Sequence, residues 1–143
     1  MIKSLVTACV LVVISDFAMG QRMVVGLDLE YTVKGAHLGN SILFESKKQW
    51  ALGAFYQTEM TRADDRSEKS RFYGTQVQFP FIKSDRLAVL GSLRAGLVMD
   101  KFFVVVPGLE TRINLGKQFG IAFMMSPRMA YPAVATKLII KLF

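Results

Sequence analysis

The sequence predicts an all-β protein that folds as a closed, antiparallel, up-and-down barrel of about eight strands. The first observation behind this prediction is a strict period of two from Arg86 to Leu115, which is the period of β-strands. The second is that glycines recur on one face of the predicted strands. The third is that polar turns punctuate the chain at regular intervals.

The stretch from Arg86 to Leu115 reads as one long β-hairpin. In its first arm Leu93 and the residues two apart from it form an apolar face, whereas Arg94 and Ser92 lie on the other face. A turn at Asp100–Lys101 leads to the second arm, which alternates in the same way. A helix would need apolar residues every three or four positions, and this stretch does not have them.

The other predicted strands follow in chain order, with polar connections between them. Thr61 to Ser70 is rich in charge and predicts a solvated loop, and Ser126 to Pro132 predicts a second loop because it holds two prolines. Pro80 and Pro107 fall inside predicted strands, where each requires a bulge or a strand end. Besides the two hairpin arms, the predicted strands cover 25–31, 37–45, 50–59, 72–81, 119–125 and 134–143.

The first twenty residues predict a cleaved Sec signal peptide (1–20), with the barrel covering 21–143. Lys3 starts it, an apolar run follows, and small residues precede Gln21, the expected mature N-terminus. The run is too short for a membrane anchor, and too little apolar chain precedes Cys9 for a lipoprotein signal. Cleavage removes the one cysteine in the sequence, so the mature chain is expected to have no disulfide and no thiolate.

The predicted glycine face decides which side of the sheet points inward. Small residues belong on the crowded concave side of a small barrel, so the apolar face is convex and meets lipid. This makes the predicted barrel a transmembrane one. The alternative is a soluble lipocalin-like barrel, which would turn the apolar face inward. The glycines on the inward face are Gly26, Gly39, Gly53, Gly74, Gly96, Gly108 and Gly120.

Aromatic residues on the apolar face are expected to form two girdles, one at each membrane interface. One girdle lies near the short turns and the other toward the longer loops. The predicted girdle residues are Tyr31, Trp50, Tyr56, Tyr73, Phe79, Phe81, Phe103 and Phe119.

With these patterns, the chain from Gln21 to Phe143 resembles the small outer-membrane β-barrel proteins of the OmpX and OmpA-barrel type. The resemblance implies an eight-stranded barrel in the cell outer membrane of a Gram-negative envelope. It also implies that the aromatic Phe143 serves as the assembly signal for the barrel-insertion machinery. Lys137 and Lys141 depart from the apolar alternation that this signal normally shows.

Charged residues on the glycine face are expected to pair and fill the lumen, since a buried charge requires a partner. A filled interior is favoured over an ion pathway because barrels of this size are filled by side chains. Two registers compete in the last strand, one turning Phe143 and Lys137 toward lipid and the other turning Lys137 and Lys141 into the lumen. The second is expected, with Lys137 bridging to Asp28 or Glu30 on the first strand. The predicted lumen charges are Asp28, Glu30, Glu45, Glu59, Arg94, Glu110, Arg112 and Lys137.

Composition and motifs argue against catalysis and nucleic-acid binding. The formal net charge is +7, but the cations are scattered over predicted turns, Arg128 among them, which favours anionic lipid and lipopolysaccharide as partners. The sole histidine, His37, is followed two residues later by Gly39, where lipid-hydrolysing barrels place a serine. Asp64 and Asp65 lack the spacing of a calcium loop. We therefore expect no enzyme activity, no metal and no cofactor.

The expected function is that of a non-enzymatic outer-membrane barrel with a structural role or a surface-binding role through its loops. One alternative is a small transport pore or the barrel component of an envelope assembly. The other is a soluble periplasmic carrier.

Overall fold

The computed structural model describes residues 22–60, 69–128 and 131–142. These residues form eight strands that pair only with their sequence neighbours, and β1 pairs with β8 to close the barrel. All pairings are antiparallel, so the predicted all-β up-and-down barrel is confirmed. The strands are β1 Arg22–Thr32, β2 Gly35–Glu45, β3 Ala51–Glu59, β4 Arg71–Lys83, β5 Leu87–Val98, β6 Phe102–Asn114, β7 Phe119–Arg128 and β8 Tyr131–Leu142.

The predicted signal peptide, Gln21 and Phe143 lie outside the described residues, as does most of the predicted loop between Thr61 and Ser70. Among the described residues, no helix is long and apolar enough to cross a membrane.

The hairpin predicted around Arg94 forms as β5 and β6. Met99 and Asp100 both have positive φ, at 54° and 60°, and Lys101 N donates to Val98 O at 3.2 Å. Positive φ at both central residues is the geometry of a type I′ turn, whose twist matches that of the flanking strands.

The predicted loop at Ser126–Pro132 is wrong. β7 continues to Arg128 and β8 begins at Tyr131, with Pro127 opposite Pro132 in the register between them. Strand structure persists through both prolines because proline is tolerated where its missing N–H is not needed by the neighbouring strand.

The two other strand prolines lie at irregular places in the sheet, as proline requires. The register between β4 and β5 shifts between Pro80 and Ile82, which is the bulge that Pro80 needs. Pro107 lies beyond the β6–β7 ladder, which runs only from Leu109 to Asn114 on the β6 side.

The side chains inside the barrel include two apolar clusters, and buried charged residues lie among them. Toward the end that carries the turns after β2, β4 and β6, called here the short-turn end, Val24, Leu43 and Ile139 are buried together. Toward the other end, called the loop end, Phe55 and Phe72 pack edge to face with centroids 4.7 Å apart. The exterior is apolar along its strands, so the barrel buries charge and exposes hydrocarbon.

The buried charge network of the lumen

All eight side chains predicted for the lumen network point into the barrel and are buried. The strand period explains this placement, because the residues two apart from each glycine share its inward face. The buried charged residues divide into two groups along the barrel axis, one around Glu30 and one around Glu110.

The Glu30 cluster lies toward the loop end. Arg94 Nη2 lies 3.0 Å from Glu30 Oε2, and Arg128 Nη1 lies 2.6 Å from Glu30 Oε1, so each carboxylate oxygen holds one guanidinium. Gln57 Nε2 donates to Asp28 Oδ2 at 2.8 Å and to Glu30 Oε2 at 3.2 Å. Four strands are therefore tied together across the lumen by one glutamate and one amide.

Both guanidiniums of the Glu30 cluster also contact aromatic rings of the lumen. The Arg128 guanidinium lies 5.6 Å from the centroid of Phe72, and that of Arg94 lies 5.7 Å from the centroid of Phe55. These are cation–π distances, and such contacts strengthen when water is excluded. The two aromatic rings therefore help to stabilise the buried cations of the Glu30 cluster.

The Glu110 cluster lies toward the short-turn end. Glu110 Oε1 is 3.2 Å from Arg112 Nη2, and Glu110 Oε2 is 3.0 Å from Lys137 Nζ. Arg112 Nη1 reaches across the lumen to Glu45 Oε2 at 2.6 Å. Gln78 donates to Glu110 at 2.8 Å and accepts from Arg112 at 3.1 Å, which closes the cluster.

The expected bridge from Lys137 to Asp28 or Glu30 is wrong, although Lys137 and Asp28 are register partners and Lys137 is buried. The Lys137 stem lies over Gly26, where a Cβ would come 3.1 Å from Lys137 Cδ. The Asp28 carboxylate lies over Gly39, where it meets Gln57 instead. The two glycines thus leave room for the side chains to diverge, and Lys137 reaches Glu110.

Two further cations, Arg128 and Lys141, are buried inside the barrel, and of these only Lys141 was expected to point inward. Arg128 was expected in a turn, but it points inward because β7 extends past the predicted loop start. Lys141 is also buried, near the short-turn end, in the register that brings Lys137 inward. The period of two in β8 predicts that Lys141 points inward. The inward orientation of Arg128 was not predicted, because Pro127 and Pro132 indicated a loop there. Among the described residues, the buried acids are Asp28, Glu30, Glu45, Glu59 and Glu110, and the buried bases are Arg94, Arg112, Arg128, Lys137 and Lys141.

The interior set is therefore neutral, with five acids and five bases among the described residues. Removing charges from water is costly, and that cost is offset only by close pairing and by hydrogen bonds to the remaining polar atoms. Such an arrangement fixes strand positions across the lumen.

Glu59 and His37 lie at the loop end, opposite each other in the β2–β3 register. Glu59 Oε2 accepts from Ser70 N at 2.9 Å, so it holds the chain where it returns from the longest connection. His37 is buried, and its Nδ1 has no hydrogen-bond partner among the described residues.

The predicted girdle residues lie on the outer face in two groups. At the short-turn end the Trp50 and Phe79 rings are 5.9 Å apart, and Phe79 packs edge to face on Phe81 at 5.2 Å. At the loop end Tyr56 stacks beside Tyr73 at 6.4 Å. Tyr31 and Phe103 are exposed toward the loop end, and Phe119 is exposed toward the short-turn end.

Comparison with known proteins gives structural neighbours only. No protein-family model and no curated protein matches the chain. A de novo designed transmembrane β-barrel superposes with a TM-score of 0.70 at 10% identity, covering 85% of this chain and 95% of the design. A second design, solved by solution NMR, gives 0.69 at 8% identity, covering 87% and 98%.

A natural protein is also similar in structure. Ail, the attachment invasion locus protein of Yersinia pestis, was crystallised in complex with the heparin analogue sucrose octasulfate. It superposes with a TM-score of 0.55 at 10% identity, covering 86% of this chain and 99% of Ail. At these identities the likeness shows a shared fold, that of transmembrane β-barrels.

Proposed function

We propose that the chain is a non-enzymatic integral outer-membrane barrel of the OmpX and OmpA-barrel type. Its role is structural, or it binds surface partners through the loops at the loop end. The observation that carries the proposal is the inverted distribution of side chains: charges pair inside, and large apolar residues cover the outside. Leu93, in the middle of β5, is 42% exposed, and Val105, in the half of β6 nearer the loop end, is 49% exposed. In water such an apolar surface would favour aggregation, whereas in a bilayer it is the expected exterior.

We assign the surface-binding role to the loop end because outer-membrane barrels direct their longest connections outward. The longest connection here joins β3 to β4. Ail supports this role by analogy, since it is an attachment invasion locus protein that was crystallised with the heparin analogue sucrose octasulfate. The partner class proposed for this chain is lipopolysaccharide or another component of the cell surface.

A transport pore is the second candidate. It is less well supported, because the ion pairs around Glu30 and Glu110 span the lumen at two levels. The soluble carrier is supported least. Its lumen would have to accept an apolar ligand, whereas this lumen holds buried ion pairs with aromatic and aliphatic residues packed among them.

Fractionation of cells that express the full chain tests the proposal. We expect the protein in the outer-membrane fraction, resistant to carbonate extraction and shifted on gels unless boiled. Release by osmotic shock as a soluble species would contradict it. Planar-bilayer recording then separates the two membrane roles, since a filled barrel gives no steady conductance and a pore does.

A further inference from the structure

The short-turn end of the barrel contains an open recess of about 950 Å³. Its wall is strongly basic. Among the described residues it holds five cations and one acid, Asp85. The cations are Arg22, Lys83, Arg86, Lys117 and Lys141.

Lys141 differs from the other cations of the recess because it is buried. Its side chain is buried, at 6% exposure, yet its ammonium contacts only the neutral Asn114 Oδ1, at 2.7 Å. Glu45, the carboxylate whose charge attracts the Lys141 ammonium, is already engaged by Arg112 at 2.6 Å. A buried ammonium whose one contact is neutral, and whose facing carboxylate is shared with a guanidinium, is costly, and an anion in the recess would offset that cost.

The rest of the wall provides further donors for an anion. Arg22, Arg86 and Lys117 are exposed and form no salt bridge with a described residue. Lys83 Nζ donates only to a backbone carbonyl, that of Lys47, at 2.9 Å. Guanidinium and ammonium groups converging on one space are the arrangement that binds phosphate, since each phosphate oxygen accepts several charge-assisted hydrogen bonds.

We infer that this basic recess binds a phosphate-bearing ligand. The ligand is either a free phosphorylated solute or the headgroup of an anionic phospholipid in the adjacent leaflet. The apolar outward residues Ile113 and Leu115 also line the recess, which gives a lipid's acyl chains a surface beside its phosphate. The site is independent of the proposed surface-binding role, which belongs to the opposite end of the barrel.

The test uses two matched pairs of substitutions in the full chain. Arg86→Gln with Lys117→Gln removes two exposed cations from the recess. Lys34→Gln with Lys101→Gln removes two exposed cations from turns at the loop end, so bulk charge falls equally. Lys141→Met is the third variant, because it keeps the apolar stem and removes the buried ammonium. Gel mobility before and after boiling establishes that each variant is folded.

The first arm titrates inorganic pyrophosphate into protein in dodecyl maltoside, with heat of binding as the readout. The second arm measures lipid preference from the quenching of Trp50, which is the one tryptophan in the sequence and adjoins Gln49 on the wall. Brominated phosphatidylglycerol and brominated phosphatidylcholine are the quenchers.

Pyrophosphate binding at one site identifies a free-phosphate ligand, and preference for phosphatidylglycerol alone identifies a lipid headgroup. In either case the recess pair and Lys141→Met should weaken binding by about tenfold or more, since each removes a charge-assisted hydrogen bond. The loop-end pair should change it less than twofold. Absence of binding in both arms, or an equal loss in both matched pairs, would overturn the inference.

Discussion

At the scale of single residues, Glu110 forms salt bridges with two buried cations, whereas Glu45, the other buried acid near the short-turn end, forms one. Glu110→Gln would leave Lys137 without a carboxylate partner. We expect the free energy of unfolding to fall by about 3–5 kcal/mol, much of it from the charge left unpaired. Urea titration in lipid vesicles measures this loss.

A double-mutant cycle identifies the partner of Lys137. Lys137→Met and Glu110→Gln should couple by about 0.5–3 kcal/mol, because the two side chains are in direct contact. The matched cycle pairs Lys137→Met with Asp28→Asn and should be closer to additive. Stronger coupling to Asp28 than to Glu110 would show that the lysine stem does not pass over Gly26.

Glycine at the inward face is required where two strands approach closely. Gly74 lies opposite Gly96, and a Cβ on Gly74 would collide with the backbone oxygen of Ala95. Backbone cannot turn aside as a side chain can, so Gly74→Ala should lower the free energy of unfolding by about 1–3 kcal/mol or prevent folding. Gly116→Ala is the control, since a Cβ there meets nothing within 4 Å. Equal tolerance of the two changes in the urea titration would count against this account.

At the scale of whole strands, the β6–β7 seam is the discontinuity in the wall. The other strand pairs have ladders of at least eight register positions, whereas the β6–β7 ladder has six and ends at Leu109 opposite Met125. Continuing that register would bring Pro107 opposite Pro127, and neither residue has an N–H to donate. The prolines thus account for the early end of the ladder.

Hydrogen exchange tests this seam. Every second amide between Phe102 and Gly108 points toward β7, and those amides should exchange faster than the amides of Gly91–Leu97 on β5. NMR in detergent micelles resolves the two groups residue by residue. Uniform protection along the whole of β6 would contradict this account, because it would mean that β6 and β7 are also hydrogen-bonded between Leu109 and the loop end.

At the scale of the whole molecule, charge is separated between the interior and the remainder of the chain. The described buried charges balance, so the formal net charge of +7 lies on residues other than this set. Basic residues at the short-turn end and an apolar outer band are the pattern expected of a barrel held at a membrane interface.

The membrane arrangement predicts where a charge is tolerated. Arginine at Leu93 or Val105, both exposed on the outer face, should cost about 2–4 kcal/mol near the bilayer midplane. Substitutions between Thr61 and Ser70 should be nearly silent for folding. Both are measured by urea titration in lipid vesicles, and equal tolerance at the two places would contradict the membrane placement.

The sequence by itself determined the strands, their faces and most of the lumen set, because a period of two with inward glycines leaves little choice of orientation. The tertiary structure decided which buried charges pair. Lys137 lies opposite Asp28, as the register predicts, but long side chains cross the lumen and bond wherever glycines leave room. Arg128 was hidden because its two flanking prolines read as a loop, and only the pairing of β7 with β8 shows that they lie in strands. Register is local and can be read along the chain, whereas contacts across a lumen depend on all eight strands at once.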